Sequence, residues 1–193
     1  MSMRLAAALD GAATDRTEAL LSRICTPVAK YWACKRAPAF VAEALECHGG
    51  NGFIADHMME RLYREAPLNG IWEGTGNVIC LDVLRSMQRE PETVGVFLDE
   101  VGQARGGNAR LDAYARGLAR RLADPAGLEP VAPRVVEMMA FALQASLLVR
   151  FAPPAVADAF CATRLDGDWG QAFGTMPAGL DTQAIVERAR IGR

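Results

Sequence analysis

The chain has 193 residues, 51% of them apolar and 23% charged, with a net charge near −2. That length is enough for one domain, or one and a half, around a real core, and the charge balance excludes a protein held to nucleic acid by its overall charge. Alanine is abundant, β-branched runs are scarce and no long period-2 alternation occurs, so the sequence predicts an all-α fold.

In chain order, residues 3–9 are too short to predict as a helix, and residues 10–15 read as a loop. Thr14 or Asp15 can cap the next helix, and Glu18 lies three residues after Asp15, the spacing of a capping box. Apolar residues from Leu20 to Leu45 recur every three or four positions and predict a long helix over about 16–47. Pro27 and Pro38 fall inside it and predict a bend or break at one or both. Lys30, Lys35 and Arg36 read as its solvated face.

The glycine-rich run HGGNGF at 48–53 ends that helix. A short helix is expected over about 56–66, with Met58, Met59, Leu62 and Tyr63 packed and Arg61 and Arg64 near one face. The PLNG run at 67–70 breaks it. The next helix, from Thr75 to about Gln88, is apolar enough to predict burial on most sides inside a bundle. Beyond Pro91, helices are expected at about 92–104, 108–123, 133–151, 154–164 and 181–191, with loops that include 125–127 and 166–180. The change of texture near 89–91 predicts two units, 1–89 and 90–193.

Five cysteines are widely spaced and lack a CxxC pair, so they form neither a disulfide framework nor a zinc site. They read as buried small apolar residues of a reducing compartment. No signal peptide and no apolar run of about 18 residues is found, which predicts a cytoplasmic chain without a membrane partner. His48 and His57 have no metal-pair spacing and read as turn histidines; no metal is expected.

The stretch IWEGTGN at 71–77 is where chemistry could sit. Glu73 lies in a loop between Trp72 and Gly74, just ahead of a helix. An indole beside the carboxylate would desolvate it, raise its pKa and make it a base. Gly74 leaves room for a substrate against the backbone, and the helix from Thr75 aims amides at an anion. A solvated loop acid fits the same residues, so both readings stand on local physics. Arg105, Arg110, Arg116, Arg120 and Arg121 face one acid, Asp112, and read as a solvated face or a phosphate-binding patch. Arg85 ends an apolar helix, where it suits the helix C-terminus or projects into a cleft.

Three blocks in order carry a resemblance: GGNGF at 49–53, RLYREA at 61–66 and IWEGTGN at 71–77. They resemble the GGxGY, RxxRDA and IYEGTx(Q/E) segments of the flavin-dependent acyl-CoA dehydrogenases, in the C-terminal helical domain, over about 16–88. Within that family the chain looks most like the alkylation-response, AidB-type branch, which has tryptophan before the glutamate, a run like NVICLDVLR and an extra C-terminal helical region. The resemblance implies an up-and-down helical bundle over 1–89 with additional helices over 90–193. It implies FAD as cofactor and an acyl-CoA thioester as substrate of α,β-dehydrogenation. Glu73 would be the base that removes the α-proton while a hydride leaves the β-carbon for the flavin. Gly74 would lie against the thioester, and Thr75 and Asn77 would contact FAD. Gly49 and Gly50 would meet the ADP half of a flavin held by a neighbouring subunit of a homo-oligomer, dimer or tetramer. Arg85 matches a position implicated in double-stranded DNA contact, in a branch linked to protection of DNA from alkylation.

Glu46 and Asn77 depart from the family pattern, which often has glutamine before the glycine turn and Gln or Glu at the later position. The family's N-terminal helical domain and middle β-domain have no counterpart in this sequence. With the abrupt start, that leads to the expectation of a C-terminal part of a longer protein, inactive by itself. A DNA-binding module that keeps the enzyme fold, and a bundle that only oligomerises, are the alternatives.

Overall fold

The computed structural model describes residues 1–124, 127–167 and 172–191. Among them every regular element is helical and no strand occurs. The predicted loops at 125–127 and 166–180 lie partly outside the described residues.

The chain opens with a helix where none was expected, α1 (Ser2–Gly11). Seven to ten residues do not make a stable helix alone, and tertiary contacts supply the difference. Ala8 is fully buried, and the Arg4 guanidinium donates to Glu18 at 2.7 Å and to Glu100 at 3.0 Å. Asp15 caps the next helix by accepting from the Thr17 amide at 2.7 Å. Glu18 is drawn to Arg4 across the helix pair, so the side chain expected to close the capping box serves a tertiary ion pair.

Helix α2 (Arg16–Cys47) runs 32 residues and carries both prolines without a break in helical backbone. Leu20, Leu21, Ile24, Cys25, Pro27 and Val28 bury its first half, and no residue of α2 beyond Val28 is fully buried. Its far half instead carries short pieces: α3 (Gly50–Phe53), α4 (Met58–Glu65) and a 3-10 turn (Ala66–Gly70). Gly52 is required where α3 meets α2, because a Cβ there would stand 2.4 Å from the Leu45 carbonyl oxygen. Helix α4 is not packed as expected: Met58, Leu62 and Tyr63 are exposed. Eight residues resting on one end of α2 offer no second surface to cover them.

Helix α5 (Gly76–Arg89) buries Cys80, Val83, Leu84 and Met87, but Val78 is 55% exposed and Leu81 is also exposed. It therefore packs on one face and not on most sides. Helices α6 (Glu92–Gly102), α7 (Ala109–Leu122), α8 (Ala132–Phe151), α9 (Pro154–Arg164) and α10 (Thr182–Ala189) follow close to their predicted places. Each of the steps α5–α6, α6–α7, α7–α8 and α8–α9 joins helices that touch, the neighbour order of an up-and-down bundle.

One core joins both halves of the chain. Leu21, Ile24 and Val28 of α2 meet Val83 of α5, Phe97 of α6, Leu118 of α7 and Val135, Val136, Met139 and Leu143 of α8, all essentially without exposure. The segment Glu129–Phe151 is, by length and composition, apolar enough to cross a membrane, although no such run was anticipated; 56% of an apolar 18-residue stretch within it is buried in the fold, as in a core helix. Between α6 and α8 sits an ionic knot. Glu100 is 3% exposed and accepts from Arg4 at 3.0 Å and Arg150 at 2.8 Å. Burial pushes its pKa up, but hydrogen bonds and charge from Arg4 and Arg150 outweigh burial and hold it below the usual value.

All five cysteines are free thiols; Cys25, Cys80 and Cys161 are buried and Cys34 partly so. Cys47 is exposed, against expectation, because it closes α2 at the glycine turn where nothing packs over it.

Candidate functional site

Glu73 stands on the loop between the Ala66–Gly70 turn and α5. Among the described residues it is the non-glycine residue with positive φ, at 56°. An L-residue held there costs about 1–2 kcal/mol relative to ordinary backbone, and such residues gather at functional sites. Gly74 follows at φ 106°, and a Cβ on it would lie 2.8 Å from Ile79 Cδ1.

What holds this loop comes from α2. The Lys30 ammonium donates to the carbonyl oxygens of Asn69 at 3.2 Å, Trp72 at 2.9 Å and Gly74 at 2.8 Å. Hydrogen bonds from a charged donor contribute about 1.5–3 kcal/mol each when shielded, and less here because two of the three face solvent. Lys30 is thus a strut and not the solvated side chain expected. Lys30, Cys34 and Pro38, four residues apart, line one face of α2.

That face forms one wall of a cavity of about 320 Å3, closed on the other side by Pro67, Gly70 and Gly76. Pro38 has no amide hydrogen, so the Cys34 carbonyl loses its intrahelical donor, and Gly70 sits opposite that oxygen. Tyr31 also lines the cavity, its pKa pushed up to about 12 mainly by burial and further by Cys80 and Glu137. Burial likewise pushes the Cys80 thiol up to about 11, with Lys35 and Tyr31 pulling it back. Both stay neutral near pH 7. Lys35 crosses Gly76, where a Cβ would lie 2.6 Å from Lys35 Cε, and Arg36 stacks on Trp32 and Phe173. Lys35 is exposed, as expected, whereas Arg36 lies over two rings and is not the free solvated cation expected.

Trp72 does not enclose Glu73 as predicted. The indole is 56% exposed and Glu73 is open to solvent, with no element among the described residues covering this loop. Thr75 occupies the N-cap of α5 with its side chain making no capping hydrogen bond, and Asn77 is exposed in the first turn. Asn77 lines a groove of about 620 Å3 with Leu81, Glu129 and Pro133. Gly49, at φ 57°, lines a different groove of about 450 Å3 with Leu45, Phe53 and Tyr63. Among the described residues nothing lies within 4 Å of where a Cβ would stand on Gly49 or Gly50. The site residues therefore fall into two separate places: Glu73, Gly74, Thr75 and Asn77 at one, Gly49 and Gly50 at the other.

Arg85 is 52% exposed and lies 3.7 Å from Asp82, which also takes the Arg23 guanidinium at 3.1 Å. In the 105–121 segment Arg110 pairs with Asp166 at 2.8 Å, while Asp112 accepts from the Gly106 amide; Arg116, Arg120 and Arg121 are exposed. His48 and His57 bring their rings within 5.2 Å, the first bonded to the Ala44 carbonyl and the second capping α4. Among the described residues no group of three or more His, Cys, Asp or Glu could hold a metal ion.

Residues 1–88 match the family described as acyl-CoA dehydrogenase, C-terminal domain. The chain is 37% identical over 163 residues to putative acyl-CoA dehydrogenase AidB of Escherichia coli (strain K12), covering 84% of this chain and 30% of that protein. It is 38% identical over 103 residues to acyl-CoA dehydrogenase family member 11 of Caenorhabditis elegans, covering 53% of this chain and 17% of that protein. Its fold matches the crystal structure of Caenorhabditis elegans ACDH-11 in complex with C11-CoA with a TM-score of 0.71 and 29% identity, over 84% of this chain and 30% of that one. The chain spans under a third of the length of these relatives. Residues 1–88 thus form an acyl-CoA dehydrogenase C-terminal domain by the family model that matches them, and the fold of the chain is like that of an acyl-CoA dehydrogenase over the part compared.

Proposed function

We propose that this chain is the C-terminal portion of an FAD-dependent acyl-CoA dehydrogenase in which Glu73 is the catalytic base. The observation that carries the reading is the Glu73 loop: a solvent-facing carboxylate held at φ 56° directly ahead of the α5 N-terminus, its flanking carbonyls fixed by Lys30. Glu73 takes the proton α to the thioester carbonyl. Gly74 keeps the backbone beside it slim enough for the acyl chain to pass. The first amides of α5 face the negative charge that develops as the proton leaves.

Members of the family generally depend on FAD. The residues present fit such a group: the Gly49–Gly50 turn is uncrowded, and the Thr75 side chain and Asn77 amide are exposed beside a helix N-terminus. Gly49 and Gly50 would receive the ADP half of one flavin, and Thr75 and Asn77 would hold another. Their separation on the surface supports flavins shared between copies of a homo-oligomer. When bound, the flavin supplies the acceptor for the β-hydride. The C11-CoA held by the structurally similar Caenorhabditis elegans protein supports acyl-CoA as the substrate class. Exposed Phe53, Met58, Ile71 and Val78 around the site support its being covered by further parts of the protein or by a second copy. Residues 1–89 are the dehydrogenase unit and 90–193 its AidB-like extension; the isolated chain is inactive. Five unpaired thiols support a reducing, cytoplasmic setting.

The test is expression from the complete reading frame. The product should bind a yellow flavin that bleaches on adding acyl-CoA, and Glu73→Gln should slow bleaching by at least about a hundredfold. A Glu73→Gln protein that bleaches at the parent rate would sink the reading.

The exposed Arg85, with Arg116, Arg120 and Arg121, favours a second activity, binding of duplex DNA with a role in alkylation protection. Binding should weaken steeply with salt, and Arg85→Ala should reduce it while Glu73→Gln does not. Salt-independent retention, or none at low salt, counts against it.

A further inference from the structure

We infer that Lys30 is a positioning residue for Glu73, an ammonium strut that keeps the loop backbone in the form that presents the carboxylate. The inference rests on the reading of Glu73 as base but is tested apart from it. Lys30 belongs to α2 and reaches over 39, 42 and 44 residues of sequence to three carbonyl oxygens at 3.2, 2.9 and 2.8 Å. An ammonium has three hydrogens to donate and no acceptor, so these carbonyls use its full capacity. Two of them, on Trp72 and Gly74, bracket Glu73, so the strut fixes the orientation of the peptide group before that residue and the one after Gly74.

The arrangement has a direction. The left-handed turn at Glu73 points the Trp72 and Gly74 carbonyls inward to α2 and leaves the carboxylate outside. Without the ammonium, those carbonyls lose the donor that gathers them, and Glu73 is free to return to ordinary backbone, which would re-aim its side chain. Arginine is a poor replacement: a flat guanidinium sends its hydrogens out in one plane and cannot meet three oxygens from one point.

The test compares the parent with Lys30→Met and Lys30→Arg by amide hydrogen exchange and by turnover. The Ile71 and Trp72 amides, both bonded to the Leu68 carbonyl, report the loop. They should exchange about tenfold faster in Lys30→Met, by a smaller factor in Lys30→Arg, with α5, α6 and α8 unaltered. In the flavin-loaded protein from the complete reading frame, Lys30→Met should lower kcat about a hundredfold with little change in KM, the signature of a displaced base and not of lost substrate binding. Unchanged exchange in whichever variant folds overturns the inference. So does loss of the fold in both, which would make Lys30 a support of the bundle and not of the loop. Faster exchange together with a fully active Glu73→Gln would keep the strut and reject Glu73 as the base.

Discussion

Arg150 and Glu100 meet at 2.8 Å across the α6–α8 contact, with the Glu100 side chain only 3% exposed. Arg4 of α1 closes on the same carboxylate, so one buried acid ties the first helix of the chain to the helix that ends at Phe151. Replacing Glu100 by alanine strands the Arg150 guanidinium and leaves Arg4 with Glu18 alone, both guanidiniums being mostly out of water. We expect a loss of about 3 kcal/mol, the low end for a broken buried pair because both arginines keep some solvent. Urea unfolding with the midpoint and slope compared to the parent measures it.

The same acid sets a pH dependence. Its folded pKa is lower than the ordinary value of 4.5, so the folded state binds this proton less readily than the unfolded chain does. The stabilisation is complete above the ordinary value and drains away as pH falls through the folded pKa. Melting temperature should hold steady from pH 7 to about 5 and drop below about 4.5, and Glu100→Gln should flatten that acid limb.

At the candidate site, two adjacent positive-φ positions should respond to substitution in opposite directions. Glu73→Gly removes a left-handed L-residue, and glycine's extra freedom when unfolded offsets part of the gain, so the variant should match or exceed the parent by up to about 1 kcal/mol. Gly74→Ala should do the reverse: φ is 106° there and the new methyl meets Ile79 at 2.8 Å. A loss of about 1–3 kcal/mol is expected in a thermal melt.

Thiol reactivity should sort by place in the fold. Cys47 is exposed at the end of α2, whereas burial pushes the Cys25 thiol up to about 12 and those of Cys80 and Cys161 up to about 11. Mass spectrometry after brief alkylation at pH 8 should find Cys47 labelled first, with Cys25, Cys80 and Cys161 labelled only in denaturant.

Much of the architecture is legible in the residues alone. The 3.6-residue period places α5, α6, α7 and α9 because each of those helices has a wet face and a dry one. The glutamate ahead of α5 is legible from its neighbours, tryptophan and glycine, and from the order of three motifs. Helix α1 is not, because its stability comes from Arg4 reaching Glu100, 96 residues away. Lys30 is not either: a lysine on a helix reads as solvated until the carbonyls that surround it are known. Burial of α4 and α5 is over-read from sequence, since apolar composition marks a surface that wants covering without saying that this chain covers it.

Helix α2 changes character after Val28: its first half is buried in the core, and its second half, although Tyr31 and Trp32 still touch the core, carries Lys30 and the cavity wall. Leu21 and Lys30 are nine residues apart, about 13 Å along the axis, and share no partner in the core. Substitutions on either side should therefore combine additively, with a coupling under about 0.5 kcal/mol in a double-mutant cycle such as Leu21→Ala with Lys30→Arg. A lineage carrying this chain could then alter its chemistry and its robustness on separate schedules, each change being judged by selection without reference to the other.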